Sequence, residues 1–326
     1  MIGTFKANNP LNTFLLFIYG LVLKFLFLSN THIPAVKKTD GILFRELIIL
    51  LRRIDGQLPF IYSLITYLLL FTQAVTFNKL ITNQRLMQRS THLMAMSYLL
   101  ITSIFADWNT LSACLVINTL LIWVWAKINN LYNNNTSSKT TLFYIGLIIG
   151  TGSFFYFPSI AFFLLIVFAL LLTRPFNLAE WIIGLVGVIT PYYFFVAGLF
   201  LTDNLKKYRI QQFTMGYPVF KNYWSLAASL LTVIIFLIGA YFVQANFKRQ
   251  VVQVRKSWNL LLGYLIIAVL IALINENHSF EYWMFTAIPL SAFVASAFLY
   301  PSKKWFPALL YWIMMGLVIV ISYFIK

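Results

Sequence analysis

Long apolar runs separated by short polar loops make up most of this chain. A run of roughly 20 apolar residues is enough for a helix to cross the hydrocarbon of a membrane. The pattern therefore predicts an all-α, polytopic membrane protein of about eleven transmembrane helices. We expect one integral membrane domain over residues 1–326, with an N-terminal core over 1–201 and C-terminal helices over 202–326. The apolar segments cover about 11–28, 58–75, 93–105, 111–126, 142–157, 159–172, 181–201, 225–243, 258–274, 282–300 and 306–325.

Two pairs of neighbouring segments are too short to cross a membrane upright. Segments 93–105 and 111–126 predict one hairpin with Asp107 at its apex, and segments 142–157 and 159–172 predict a second, broken at Pro158. Unsatisfied backbone groups cannot face lipid. Such short arms therefore indicate burial among other helices, or a thinned and water-filled region.

The loop after the first segment leads into a stretch, residues 42–53, with the pattern of an amphipathic helix. On a helix, Arg45, Glu46, Arg52 and Arg53 fall within one arc of roughly a third of the circumference, and apolar residues cover most of the remainder. This arrangement predicts a helix that lies in the membrane surface, with its basic side toward lipid phosphates.

The composition agrees with a membrane protein and changes the interpretation of the charge. Hydrophobic residues make up 61% of the chain, charged residues 10%, and the mean hydropathy is +0.83, whereas a soluble domain is about half apolar and a quarter charged. The net charge of +16 is distributed in small clusters between apolar segments. Anionic lipids and lipid phosphates are therefore more natural partners than nucleic acid. The single cysteine, Cys114, is expected to be a small core residue.

The distribution of Lys and Arg favours a cytoplasmic N-terminus. With that orientation, thirteen of the 24 Lys and Arg residues lie in inner loops. The outer ones lie almost entirely in two long loops, 29–57 and 202–224, and the short outer turns carry none. Lys24 lies within the first segment, from which its amine can snorkel to the membrane surface.

Two aspartates on the predicted outer side are the candidate catalytic residues. Asp40 precedes Gly41 and the amphipathic helix, so it is either a turn former or helix cap, or a general base or metal ligand for a hydroxyl acceptor. Asp107 is either a helix cap or a buried carboxylate that approaches Asp40 and shares an ion or substrate with it.

Other outer features are candidates for substrate binding. Tyr156 belongs to an aromatic cluster that forms either an interface belt or a platform for a sugar ring or prenyl chain. Lys206, Lys207 and Arg209 form a basic cluster on the side where positive charge is disfavoured, so they favour an anionic partner. Ordinary phospholipid head groups would also satisfy them.

A divalent metal is possible, although no specific motif requires one. Residues 276–281 contain Glu276, His278 and Glu281 in a spacing that can, but need not, bind a metal. The chain contains no Walker loop, dinucleotide glycine pattern or H-E-x-x-H motif. The small-xxx-small pair Gly146 and Gly150 is explained by close helix packing.

The order of these features resembles a known superfamily. It comprises Asp40 before the amphipathic helix, Asp107 after a short span, Gly146-x3-Gly150, Arg174-Pro175 and Thr190-Pro191-Tyr192. Over about residues 10–200 this layout resembles the membrane half of the GT-C superfamily of polyprenyl-phosphate-sugar glycosyltransferases. It also looks like an uncharacterised bacterial family of short multi-pass proteins.

The resemblance implies sugar transfer from a polyprenyl-phosphate donor to a hydroxyl on the outer face of a bacterial cytoplasmic membrane. Asp40 would activate the acceptor and Asp107 would position the donor or a metal. Glu46, Tyr156 and the basic cluster would contact substrate. Gly41 stands where many superfamily members have Glu, so a non-catalytic lipid-binding assembly factor or carrier is the alternative. A transporter is disfavoured because charged residues are scarce within the spans.

Overall fold

The structure, a computed structural model, describes residues 2–7, 9–29, 33–54, 59–131, 138–203, 223–274 and 279–324. Of these residues, 83% are helical and none lies in a strand. The α-helices are α1 (Ile2–Lys6), α2 (Leu11–Ser29), α3 (Ile42–Ile54), α4 (Phe60–Asn83), α5 (Leu93–Thr102), α6 (Ala113–Leu131), α7 (Ser138–Ser153), α8 (Phe163–Thr173), α9 (Leu178–Leu201), α10 (Tyr223–Asn246), α11 (Val252–Ala272), α12 (Ala287–Leu299) and α13 (Trp305–Phe324). Short 3₁₀ turns cover Ala106–Asn109, Phe157–Phe162, Phe247–Arg249 and Glu281–Thr286.

Each predicted apolar segment coincides with a described helix. Within the described ranges, seven helical stretches are long and apolar enough to cross a membrane: Leu11–Ser29, Phe60–Asn83, Leu178–Leu201, Tyr223–Arg249, Val252–Ala272, Glu281–Leu299 and Trp305–Ser322. Shorter apolar helices cover Leu93–Thr102, Ala113–Asn129 and Phe157–Thr173. The protein is therefore an all-helical, multi-pass membrane protein.

Several helices extend beyond the apolar segments that predicted them. Helix α4 continues from the predicted limit at residue 75 to Asn83, and α11 begins at Val252 rather than at residue 258. A helix can continue through polar residues where neighbouring helices pack around it and offer hydrogen-bond partners. Asn78, for example, is buried and its side-chain oxygen accepts a hydrogen bond from the Ala95 amide at 3.4 Å.

The short helix α5 lies inside the bundle. All ten of its residues are buried, and it packs against α4 and α12. Burial among other helices removes the requirement that each turn reach a membrane surface. This finding confirms the expectation from its length, and it joins a helix of the N-terminal part to a helix of the C-terminal part.

Glycines allow two pairs of helices to approach closely. A Cβ atom at Gly146 of α7 would lie 2.3 Å from the Gly184 carbonyl oxygen of α9, and one at Gly187 would lie 2.4 Å from the Phe143 carbonyl oxygen. At Gly239 of α10, a Cβ would lie 2.0 Å from the Phe293 carbonyl oxygen of α12. The close packing predicted for Gly146 is therefore confirmed.

The helix predicted at residues 42–53 is present as α3, and its apolar side is divided between two environments. Phe44 and Ile48, one turn apart, are 2% and 0% exposed because they pack on the bundle. Leu43 and Leu50 are 38% and 57% exposed. One apolar face thus holds α3 to the protein, and a second remains available for lipid.

Connections alternate between two ends of the bundle. We call the end that contains residues 33–54, 103–112, 154–159, 202–203 and 279–284 the Asp40 end. The opposite end, with residues 2–7, 79–92, 127–131, 138–139, 174–180, 247–256 and 300–304, is the Arg174 end. There, the Arg174 guanidinium pairs with Glu180 at 3.0 Å, and the same carboxylate oxygen accepts a hydrogen bond from Ser138 at 3.0 Å.

Candidate functional site

A segment without regular structure, residues 33–41, crosses the Asp40 end and joins α3; we call it the strap. The Gly41 amide donates to the Phe155 carbonyl at 2.7 Å, and the Leu43 amide donates to the Phe154 carbonyl at 3.1 Å. A Cβ at Gly41 would lie 2.0 Å from the Phe154 carbonyl oxygen. Only glycine therefore fits where the strap meets the end of α7.

Two arginines of α3 hold the strap along its length. The Arg45 guanidinium donates to the Lys38 carbonyl at 3.0 Å, and that of Arg52 donates to the Pro34 carbonyl at 3.4 Å. The basic side of α3 therefore has a second role beside the one predicted from its pattern, because it fixes backbone carbonyls of the strap. Glu46, predicted to contact substrate, is exposed on the same helix.

Asp40 closes a turn within the strap and is 2% exposed. Its Oδ2 accepts a hydrogen bond from the Lys37 amide at 2.7 Å, and its own amide donates to the Lys37 carbonyl at 3.1 Å. Burial raises the pKa of Asp40 above its ordinary value, against the opposing effects of the Lys37 hydrogen bond and of the Lys37 and Arg45 charges. The carboxylate thus has a structural role in the turn and the raised basicity that suits a general base.

The side chain of Lys37 joins the strap to the beginning of the Glu281–Thr286 turn. Its ammonium forms an ion pair with the Glu281 carboxylate and lies 5.7 Å from the centre of the Tyr282 ring. Burial alone would lower the pKa of Lys37, but the charge and hydrogen bond of Glu281 outweigh it and raise the pKa. Thr39 completes the contact through a hydroxyl–hydroxyl hydrogen bond to Tyr282 at 2.7 Å.

Tyr156 lies directly beneath this contact. Its ring stacks on that of Tyr282, with centroids 4.8 Å apart and planes at 25°, and its hydroxyl donates to the Ile274 carbonyl at 2.6 Å. Tyr156 is 1% exposed. The ring is therefore an internal support for Tyr282, and its faces are occupied by protein in this arrangement, unlike those of a surface platform or interface belt.

Asp107 lies in the 3₁₀ turn Ala106–Asn109 and is exposed rather than buried. Phe105, not Asp107, occupies the N-cap position of that turn. The Asp107 carboxylate accepts a hydrogen bond from the Phe280 amide at 3.2 Å, while the neighbouring Trp108 indole donates to the Phe280 carbonyl at 2.7 Å. Asp107 is therefore neither the cap of this turn nor the predicted buried carboxylate. From the surface, it positions Phe280, the residue next to Glu281.

Glu281 is the point at which the predicted residues converge. Glu281 is 7% exposed, and its carboxylate contacts Lys37 and lies within electrostatic reach of both Asp40 and Asp107. From its sequence pattern, Glu281 was predicted only as part of a possible metal site, and Lys37, Thr39 and Tyr282 were not among the predicted site residues. The signal for Lys37 was its place three residues before Asp40, but its partner is 244 residues away along the chain.

Some predicted residues lie elsewhere or outside the described part of the chain. Lys206, Lys207 and Arg209 lie outside the described residues, as do Glu276 and His278 of the possible metal site. Among the residues that the structure describes, no group of three or more His, Cys, Asp or Glu side chains could hold a metal ion.

Comparison with known families assigns the chain to a family, but the description of that family names no activity. Residues 41–326 match a family described as "Family of unknown function (DUF6427)". The chain belongs to this family. The match includes α3, Asp107, Tyr156 and Glu281, and it begins one residue after Asp40. Searches of curated proteins and of solved structures find no match to this DUF6427 protein.

Proposed function

We propose that this DUF6427 protein is a membrane glycosyltransferase that moves a sugar from a polyprenyl-phosphate donor to a hydroxyl at the Asp40 end. In this proposal about eleven helical segments cross a bacterial cytoplasmic membrane, the N-terminus is cytoplasmic, and the Asp40 end faces outward. The observation that carries the proposal is the convergence of Asp40, Asp107 and Lys37 around Glu281. This groups three carboxylates and a cation from three separate parts of the chain at one end of the bundle.

The proposed reaction uses these groups without a nucleotide. The acceptor oxygen attacks the anomeric carbon of the sugar, and the bond from that carbon to the phosphate oxygen breaks with its electron pair remaining on the phosphate. Asp40 takes the proton of the acceptor hydroxyl. Asp107 orients the donor, and Lys37, whose side chain is 31% exposed, stabilises the departing phosphate. Lys206, Lys207 and Arg209 are proposed as further phosphate contacts, and anionic lipids as surrounding partners.

The test is sugar transfer by the purified full chain in nanodiscs. Wild type, Asp40→Asn and Asp107→Asn are given a panel of radiolabelled polyprenyl-phosphate sugars with host membrane lipids and glycans as acceptors. Asp203→Asn is the matched control, because Asp203 is an exposed carboxylate with φ of +53°, a conformation that Asn also tolerates. We expect transfer by wild type and the control, with a loss of roughly 100-fold or more in Asp40→Asn.

A specific observation favours a second, non-catalytic function. Asp40 is enclosed and its Oδ2 serves the turn of its own strap, as a structural residue of a lipid-binding assembly factor or carrier would. Under that alternative, a folded wild-type protein transfers no sugar from any donor in the panel. Equal transfer by wild type and Asp40→Asn would instead retain a transferase but remove Asp40 as its base.

A further inference from the structure

A second charged group lies deep in the bundle, in the first span. Lys24 of α2 is 2% exposed, so its side chain does not snorkel to the surface as expected from the sequence. Its Nζ donates to the Thr102 hydroxyl at 3.1 Å and to the Asn109 side-chain oxygen at 2.5 Å. The Asn109 amide nitrogen donates to the Thr102 and Phe105 carbonyls, both at 3.0 Å. These bonds fix the Asn109 oxygen toward Lys24.

The Lys24 amine, when protonated, is a cation held by neutral groups only. Among the described residues, no carboxylate forms an ion pair with it. A protonated amine has three hydrogen-bond donors, of which Thr102 and Asn109 take two. Charge is expensive within a membrane, and intramembrane lysines accordingly tend to mark binding sites or ion pathways. An anion that approaches Nζ would offset this charge.

An opening between α2 and α4 leads to this amine. Its empty volume is about 190 Å³, part of which is open to the outside, and it contains room for about one water-sized group. Lys24, Thr66 and Asn109 line its buried part, and the half-buried Phe27, Leu28 and Ser63 line its rim. Outside the rim, α2 and α4 expose apolar residues such as Phe25 (64%) and Leu64 (41%). The opening therefore faces the lipid side of the bundle.

We propose that this opening is a binding site for a lipid phosphate monoester, with one terminal phosphate oxygen accepting a hydrogen bond from Lys24 Nζ. A terminal oxygen matches the narrow space, the acyl chains can lie along the apolar outer faces of α2 and α4, and the phosphate charge pairs with the ammonium. The site is separate from the proposed transfer site, because the 3₁₀ turn Ala106–Asn109 lies between them. Asn109 of that turn contacts Lys24, and Asp107 contacts Phe280.

The proposal is tested by native mass spectrometry of the full chain with dioleoyl phosphatidic acid. Lys24→Met removes the charge and keeps an unbranched apolar side chain. Ser63→Trp fills the rim without changing Lys24, and Leu64→Trp adds the same indole one residue away on the exposed face. We expect one saturable lipid on wild type and on Leu64→Trp, with roughly tenfold weaker binding to Lys24→Met and Ser63→Trp, which corresponds to the loss of one charge-assisted contact.

Competitors separate the possible sources of the anion. Dioleoylglycerol has the same chains without phosphate, oleate carries a carboxylate, and inorganic phosphate has no chains. The proposal fails if any of these competitors displaces bound phosphatidic acid as effectively as additional phosphatidic acid does. It also fails if both Lys24→Met and Ser63→Trp bind phosphatidic acid like wild type. Should Lys24→Met not fold, the comparison of Ser63→Trp with Leu64→Trp decides. If neither Lys24→Met nor Ser63→Trp folds, wild type alone decides. The proposal is overturned if wild type binds phosphatidic acid no more tightly than dioleoylglycerol.

Discussion

The two ends of the bundle use charge in opposite ways. The described part of the Arg174 end carries one acidic residue, Glu180, and thirteen basic ones: Lys6, Lys79, Arg85, Arg89, Lys127, Lys139, Arg174, Lys248, Arg249, Arg255, Lys256, Lys303 and Lys304. The described part of the Asp40 end is balanced. Its basic residues are Lys37, Lys38, Arg45, Arg52 and Arg53, and its acidic residues are Asp40, Glu46, Asp107, Asp203 and Glu281.

The difference indicates that the two sets of charges serve different purposes. Positive residues in loops on one side of a membrane fix orientation, which accounts for the Arg174 end without any ligand. Orientation does not explain buried carboxylates. The Arg174 end has one, Glu180, which is 6% exposed and paired with Arg174. The Asp40 end has two, because Asp40 and Glu281 are 2% and 7% exposed, and both contact the same residue, Lys37. Burying such charges rarely adds net stability compared with apolar residues. The Asp40 end is therefore where a function that needs charge is best sought.

The largest effect that separates the ends is expected at Gly41. Gly41→Ala would place a methyl group 2.0 Å from the Phe154 carbonyl oxygen, so the strap must leave α7. Because a backbone atom cannot yield as a flexible side chain does, we expect a loss of about 3 kcal/mol in the free energy of unfolding. Thermal and denaturant unfolding in detergent measure it.

Gly3 of α1, at the Arg174 end, is the matched control. A Cβ there meets no atom within 4 Å, so Gly3→Ala is expected to be neutral or to stabilise by about 0.5 kcal/mol through helix propensity. Equal stability of the two variants would show that the strap does not depend on its contact with Phe154.

The next effect concerns the ion pair between the strap and the Glu281–Thr286 turn. Lys37→Met leaves the buried Glu281 carboxylate without its cation. We expect about 2 kcal/mol of destabilisation, below the range for a fully buried pair because 31% of the Lys37 side chain is exposed. Lys38→Met, one residue along and exposed, is expected to change stability by less than about 0.5 kcal/mol. A Lys37→Glu, Glu281→Lys double variant that recovers no stability relative to the single variants would contradict the pairing.

A smaller effect is expected at the hydroxyl contact. Tyr282→Phe keeps the ring on Tyr156 and removes the hydrogen bond to Thr39. Since the Thr39 hydroxyl is buried, its lost partner should reduce the free energy of unfolding by about 1 kcal/mol. Tyr223→Phe, at a tyrosine that is 92% exposed, should have no measurable effect. A Tyr282→Phe protein as stable as wild type would mean that water or another group replaces the contact.

The sequence predicted the architecture better than it predicted the site. Apolar segment length and amphipathic period depend on near neighbours, so they located the helices, α3 and the close packing of Gly146. The Lys37–Glu281 pair joins residues 244 positions apart, and no local pattern indicates which distant loops will meet. The exposure of two residues was also predicted wrongly, since Asp107 is at the surface and Tyr156 is buried. Burial at a bundle end depends on how the strap and the Glu281–Thr286 turn fold over it, which no local pattern indicates.

The smallest effect is the most informative about Asp40. Burial raises its pKa in the folded state above the ordinary value of 3.8, so the folded state holds the proton more tightly than the unfolded state. This contribution to stability is fully present below pH 3.8 and is lost as the pH rises through the raised pKa. The amide side chain of the Asp40→Asn variant has no such titration, and its oxygen can accept the same hydrogen bond from Lys37. We therefore expect the variant to gain on wild type by up to about 1 kcal/mol as the pH rises from about 4 to about 7.

Denaturant unfolding of both proteins across that pH range measures the difference. Parallel stability curves would contradict the raised pKa and indicate that water reaches the carboxylate. A variant that is at least as stable as wild type at neutral pH, but has lost sugar transfer, would separate the two roles of Asp40. The turn needs only an acceptor oxygen, which Asn supplies, whereas proton removal needs the charge. A carboxylate retained where the isosteric amide is the more stable choice is explained by chemistry rather than by folding.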